Sequence, residues 1–392
     1  MSQSSTKMVG IKPTTNTETP PKRVTLEPGR RNPGVEKFYS ELRGKIVGQD
    51  EAVSQLVNIY EMVVAGMTIP GRPIANLLFL GPTGSGKTRI VEAAAEILFG
   101  NANAFIKVDC AEFQHSHEIA KLIGSPPGYI GHRETRAVLN QEAIDQFQTD
   151  TLKLTFVLFD EIEKSSDALW QLLLGVLDKG TLRLGDNNRV NLSRTVIVMT
   201  SNLGAAAMNR MASGSIGFAS SSRAHMDKCV DSAALGAARR HFSPEFLNRL
   251  DKAIVFHSLS PAQLREVLDI ELDQVENRIL ATQSERLFAF ECTPEAKDFL
   301  IREGTDARYG ARHLKRAIEH NLVLPLSRLL STDQITTGDL VTVDFTPGPE
   351  GGLVFSKDEL PVVPVVSVPV LFPDQPPQEV TPETPSYRVN YA

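Results

Sequence analysis

The chain has 392 residues, 41% hydrophobic and 22% charged, with a formal net charge of −6 at pH 7. That length and apolar content allow two or three domains around sizeable cores, and the acidic balance argues against binding nucleic acid through a general basic surface. Cys110, Cys229 and Cys292 are far apart and form no paired motif, which excludes a disulfide framework and fits a reducing compartment. No apolar run reaches the roughly 18 residues of a membrane span and the N-terminus lacks the apolar stretch of a signal peptide, so the expectation is a soluble, cytoplasmic protein without a membrane partner.

Residues 1–36 are rich in Ser, Thr, Pro and Gly, show no hydrophobic period and are read as a disordered arm. Short apolar runs then alternate with amphipathic stretches. "NLLFL" (76–80), "AFIKV" (104–108), "TFVLF" (155–159), "TVIVM" (195–199) and "AIVF" (253–256) are predicted strands. Near-continuous apolar strands separated by helices predict an α/β fold, a parallel sheet covered on both faces, over residues 37–257. Between them, "TLRLGDNNRVNL" (181–192) reads as a β-hairpin. After Ser260 the pattern turns helical, beginning with "SPAQLREVLDIELDQVENRIL", and a strand "DLVTVDF" closes a small, mainly helical domain over 258–345. From 346 to 392 the density of proline predicts an extended, disordered tail.

Directly after the first strand comes "GPTGSGKT", Gly81-Pro82-Thr83-Gly84-Ser85-Gly86-Lys87-Thr88, a complete G-x-x-x-x-G-K-[ST] motif. Its glycines let backbone N–H groups face phosphates at a helix N-terminus. Lys87 is placed for the β- and γ-phosphates of ATP and the Thr88 hydroxyl for Mg²⁺. The strand of "TFVLFDEIEK" ends in Asp160-Glu161, at the carboxyl end of the sheet where ligands bind in such folds. Asp160 is the expected Mg²⁺ residue, and Glu161 the general base that takes a proton from the attacking water. Cys110, His115 and His117 lie close in sequence, but their spacing fits no standard zinc pattern and a surface reading is preferred.

The succession of "IVGQDEAV" (46–53), the two motifs above, "VIVMTSN" (196–202), "FSPEFLNRLD" (242–251) and "YGARHLKRAIE" (309–319) resembles the Clp ATPases, the AAA+ unfoldases that include ClpA, ClpB and ClpC. The likeness is to their second ATPase ring and runs from about Lys45 to Phe345. It implies an AAA+ sheet domain followed by a helical lid, with Ile46 and Val47 lining the adenine pocket. Asn202 would be the first sensor, Arg249 an arginine finger reaching the ATP of a neighbouring subunit, and Arg312 the second sensor. A hexamer of this chain follows from the same resemblance. In "GSPPGYIG" (124–131), glycine and proline break helix and strand and leave Tyr129 on a loop. The resemblance makes Tyr129 and Ile130 the tip that grips an unfolded polypeptide in the ring's channel. Where relatives continue with Gly-Tyr-Glu-Glu-Gly-Gly, this chain has "GHRETRAV" (131–138). Ile216-Gly217-Phe218, in a Ser-rich stretch, is similar to the tripeptide with which some members dock on a ClpP-type peptidase and which ClpB lacks.

The function expected is ATP-driven unfolding and threading of proteins, with a ClpP-type peptidase and an adaptor as candidate partners. A protease-independent chaperone or disaggregase is the first alternative, and a nucleic-acid-linked AAA+ ATPase the second; no nucleic acid is expected. About 40 residues precede the ATPase core, so recognition is expected to come from the pore, the arms or another protein.

Overall fold

The computed structural model describes residues 26–27, 29–125, 137–213, 223–281, 287–305, 313–348 and 351–358. The apolar runs form β1 (Ala75–Leu80), β2 (Ile106–Asp109) and β3 (Thr155–Asp160), then the short β4 (Thr181–Arg183) and β5 (Arg189–Asn191), then β6 (Thr195–Ser201) and β7 (Lys252–Val255). Five of them make a wholly parallel sheet in the order β2-β3-β6-β1-β7. Side chains alternate across it. Leu78, Leu80, Val157, Phe159, Ile197 and Met199 enter one core with helix Asp167–Lys179, whereas Leu77, Phe79, Phe156, Leu158, Val196 and Val198 enter the other with helix Lys87–Phe99. Burial on both faces is why these strands carry no polar alternation.

β4 and β5 pair as the antiparallel hairpin, turning at Asn187 with φ +69°. The second strand begins at Ile106 rather than 104, because Ala104 and Phe105 give their N–H groups to Asn101 and Asn103 in a turn. At the N-terminal side, helix Pro33–Lys45 starts inside the arm expected to reach residue 36; Asn32 accepts the Gly34 N–H at 2.8 Å and Pro33 opens the first turn.

Helix Pro261–Ala281 begins the second unit, with Ser260 and Gln263 exchanging side-chain-to-backbone hydrogen bonds as a capping box. β8 (Ala289–Cys292) and helix Pro294–Gly304 follow. A helical run from Leu314 to Ser331 carries a π-turn at Glu319–Val323, just before Pro325, whose missing N–H and ring cannot fit a regular turn. β9 (Leu340–Thr346) pairs parallel with β8 and antiparallel with β10 (Gly352–Lys357). β10 corrects the reading of everything after Thr346 as tail: Leu353 and Phe355 pack on this unit's core. β8 was not predicted either.

Cys110 and Cys292 are buried, and burial pushes the Cys292 thiol up to about 11. Among the described residues no three His, Cys, Asp or Glu side chains are placed to share a metal, Cys110, His115 and His117 included. No described helix is long and apolar enough to cross a membrane.

Candidate nucleotide site

Because β1, β3 and β6 run parallel and in register, Leu80 beside Ser201 and Phe159 beside Met199, their carboxyl ends bring three loops together. The first is Gly81–Thr88. Gly81 passes so close to Phe256 that a Cβ would lie 2.5 Å from its carbonyl oxygen. Gly84 and Gly86 take φ of +78° and +97°, and a Cβ at Gly86 would meet nothing within 4 Å. The loop is therefore a backbone cradle with open space at its rim, suited to a phosphate chain. Ser85 Oγ donates to the Pro82 carbonyl at 2.8 Å, and Gln49 Nε2 donates to the Ser85 and His257 carbonyls at 3.1 and 3.0 Å.

Lys87 is buried. Its Nζ donates to the carbonyls of Gly81 and Pro82 at 2.8 and 2.9 Å and to Asn202 Oδ1 at 2.9 Å. Burial lowers its pKa to about 8, against the opposing pull of Glu163, Asp160 and Glu161.

The second loop carries the acidic pair. Asp160 receives Lys107 Nζ at 2.8 Å and the Thr200 hydroxyl at 2.5 Å. Burial alone would raise its pKa, but those hydrogen bonds and the charges of Lys107 and Lys87 prevail and hold it below the ordinary aspartate value. Glu161 sits at φ +56°, left-handed backbone uncommon for a side-chain-bearing residue and found preferentially at functional sites. Its N–H donates to Thr200 Oγ1 at 3.0 Å, and its carboxylate receives Asn202 Nδ2 at 3.1 Å and an ion pair from Lys164.

Asn202, at the end of β6, is the third loop. One amide group thus touches both the phosphate-loop lysine and Glu161 of the acidic pair, and the Asn202 backbone N–H is held by Glu163 Oε1 at 3.0 Å. These loops floor a cleft of about 600 Å³, within the size range of small-ligand pockets. Ile46 and Val47 form one wall; Leu259, Val267, Ile270 and Lys315, from the second unit, form the other. Thr88 and Asp160 both line it and are the pair suited to a hard cation shared with phosphate.

Arg249 is not in this cleft. It follows helix Pro244–Leu247, pairs with Glu245 Oε1 at 3.1 Å, and its carbonyl accepts Asn76 Nδ2 at 3.0 Å, at the amino end of β1. Five strand residues at about 3.3 Å each put Asn76 about 16 Å from Gly81, beyond the reach of one arginine. Arg312, Tyr129, Ile130, Ile216, Gly217 and Phe218 lie outside the described residues. Sequence reasoning missed Lys107, Thr200, Glu163, Lys164 and the wall from the second unit. Only Lys107 left a trace, as the charged position of an alternating strand.

Residues 72–253 match the family described as AAA domain (Cdc48 subfamily), and residues 259–343 match the C-terminal, D2-small domain of ClpB protein. The chain is 36% identical over 304 residues to chaperone protein ClpB 1 of Thermosynechococcus vestitus, covering 78% of this chain and 33% of that one. It is 35% identical over 307 residues to the negative regulator of genetic competence ClpC/MecB of Bacillus subtilis, covering 78% and 36%. Among solved structures, the Hsp104–ADP complex of S. cerevisiae superposes with a TM-score of 0.67 at 30% identity, over 83% of this chain and 53% of that one. The chain spans about a third of the length of the curated relatives it matches.

Proposed function

Because the chain belongs to the Clp family of AAA+ ATPases, we propose that it hydrolyses ATP with Mg²⁺ to pull polypeptides through the channel of a ring of its own copies. The observation that carries this reading is Asn202, whose amide bridges Lys87 and Glu161 in the cleft. A phosphate-binding cation and a carboxylate base are thereby held by one group that the γ-phosphate and its attacking water would both meet. When bound, Mg²⁺ would supply charge neutralisation between Thr88, Asp160 and the phosphates. Lys87 holds the phosphates, Glu161 takes the proton of water, and Arg249 serves the cleft of a neighbouring copy, in keeping with its distance from its own.

In this reading residues 37–257 work as the motor and 258–345 as its lid, with Arg312 touching phosphate from the lid. Tyr129 and Ile130 grip the substrate, an unfolded or tagged protein in the cytoplasm, with or without an adaptor. Ile216-Gly217-Phe218 docks a ClpP-type peptidase. The same motor serves a protease-independent disaggregase equally, and the chain is as similar to ClpB as to ClpC/MecB, 36% and 35% identical.

The test is ATP-driven loss of fluorescence from a folded fluorescent protein with an unstructured tail, without peptidase. Wild type is expected to unfold it. Tyr129→Ala should hydrolyse ATP without unfolding, and Glu161→Gln should bind ATP and do neither. Hydrolysis by wild type without unfolding would overturn the threading reading. With a ClpP-type peptidase added, Phe218→Ala blocks degradation and spares hydrolysis if the tripeptide docks; degradation by that variant would overturn the docking role, and unfolding by wild type without degradation decides for the disaggregase.

A further inference from the structure

We propose that Asn76 is the positioning residue of Arg249, a role that rests on the reading of Arg249 as a finger acting on a neighbouring copy. Asn76 is fully buried in the second position of β1, on a sheet face otherwise lined by Leu78 and Leu80. A polar side chain there needs a reason. Its Nδ2 donates at 3.0 Å to the carbonyl of Arg249 and at 3.0 Å to that of Leu177, near the end of helix Asp167–Lys179. Its Oδ1 is buried with no partner, so the fold carries an unmatched acceptor at this position. Only the donor end is used, and it is shared between the arginine loop and helix Asp167–Lys179.

The backbone of Asn76 completes the clamp. Its N–H donates to Asp251 Oδ2 at 2.7 Å, and its carbonyl accepts the Asp251 N–H at 2.9 Å. Arg72 holds Asp251 from outside at 2.5 Å. Arg249 and Asp251 are thus both fastened to one strand residue, and the Arg249 side chain, which among the described residues pairs with exposed Glu245 one turn back, starts from a fixed base. The same strand leads directly into Gly81. The base of the finger and the start of the phosphate loop are therefore the two ends of one rigid element.

A residue that aims a finger in trans leaves its own cleft intact, and that separates aiming from simple support of the fold. In Asn76→Ser, affinity for a fluorescent, non-hydrolysable ATP analogue should stay within about threefold of wild type while steady-state hydrolysis falls by about 10- to 100-fold. Mixed one to one with Glu161→Gln subunits, whose clefts are inactive but whose fingers are whole, hydrolysis per Asn76→Ser subunit should rise at least about fivefold. Arg249→Ala mixed the same way is the reference. If Arg249→Ala is rescued and Asn76→Ser is not, or if Asn76→Ser is as active as wild type, the proposal is overturned. If Arg249→Ala itself is not rescued, the reading of Arg249 in trans falls first. Should Asn76→Ser fail to assemble, Asn76→Thr, whose branched side chain suits a strand, carries the same test. Failure of both to assemble would make Asn76 a residue of the fold and end the proposal.

Discussion

Lys87 is the residue on which binding and electrostatics meet. It is a buried ammonium resting on two loop carbonyls and Asn202, and burial has brought its pKa down to about 8. Below that value it presents a full positive charge to a polyanion, and above it the empty site holds an amine. Affinity for ATP is therefore expected to fall as pH rises from 7 to 9, read by titration with a fluorescent analogue. Lys87→Met should bind more weakly throughout and lose the pH dependence of that window; an unchanged slope in the variant would locate the titration elsewhere. Asp160 stays anionic over the same range, since it is held below its ordinary value and already faces Lys107.

At the scale of elements, helix Pro294–Gly304 shows how closely the second unit is packed. A Cβ on Gly304 would lie 2.6 Å from the Leu314 Cα, a backbone atom that cannot swing aside. Gly304→Ala is expected to destabilise this unit by about 1–3 kcal/mol, seen as a lowered melting temperature and faster proteolysis within residues 259–343. The sequence made some elements plain and hid others for physical reasons. The phosphate loop and the acidic pair were legible because each is a local phrase fixed by spacing. Lys107 and Thr200 were not: they reach Asp160 through strand register, with Asp109 placed beside Asp160, a relation that no local window contains. The second wall of the cleft was equally silent, since an amphipathic helix such as Pro261–Ala281 has one pattern whatever its outer residues face. β8, four residues long, was too short to announce itself, and β10 was lost because composition averaged "GLVFSK" into the prolines beyond it.

For the whole molecule, the proposed action of Arg249 on a neighbouring copy would tie catalysis to assembly. Arginine fingers supplied by a partner raise phosphoryl-transfer rates by about 10³–10⁵, so hydrolysis per subunit should climb steeply with protein concentration, and Arg249→Ala should flatten that climb. Constant specific activity on dilution to monomers, checked by analytical ultracentrifugation, would contradict it. The strand order has a consequence of a different kind, for the birth of the chain. β1 lies between β6 and β7, both made after it, and its last partner ends at Val255, some 175 residues beyond Leu80. At translation speeds of about 5–20 residues per second, the most apolar strand of the sheet waits roughly 10–35 seconds for its second neighbour. A nascent chain halted before Lys252 leaves that edge bare and the Asn76 amide without the Arg249 carbonyl. The growing polypeptide is thus itself a candidate for the kind of help that its relatives, by name, are known to give.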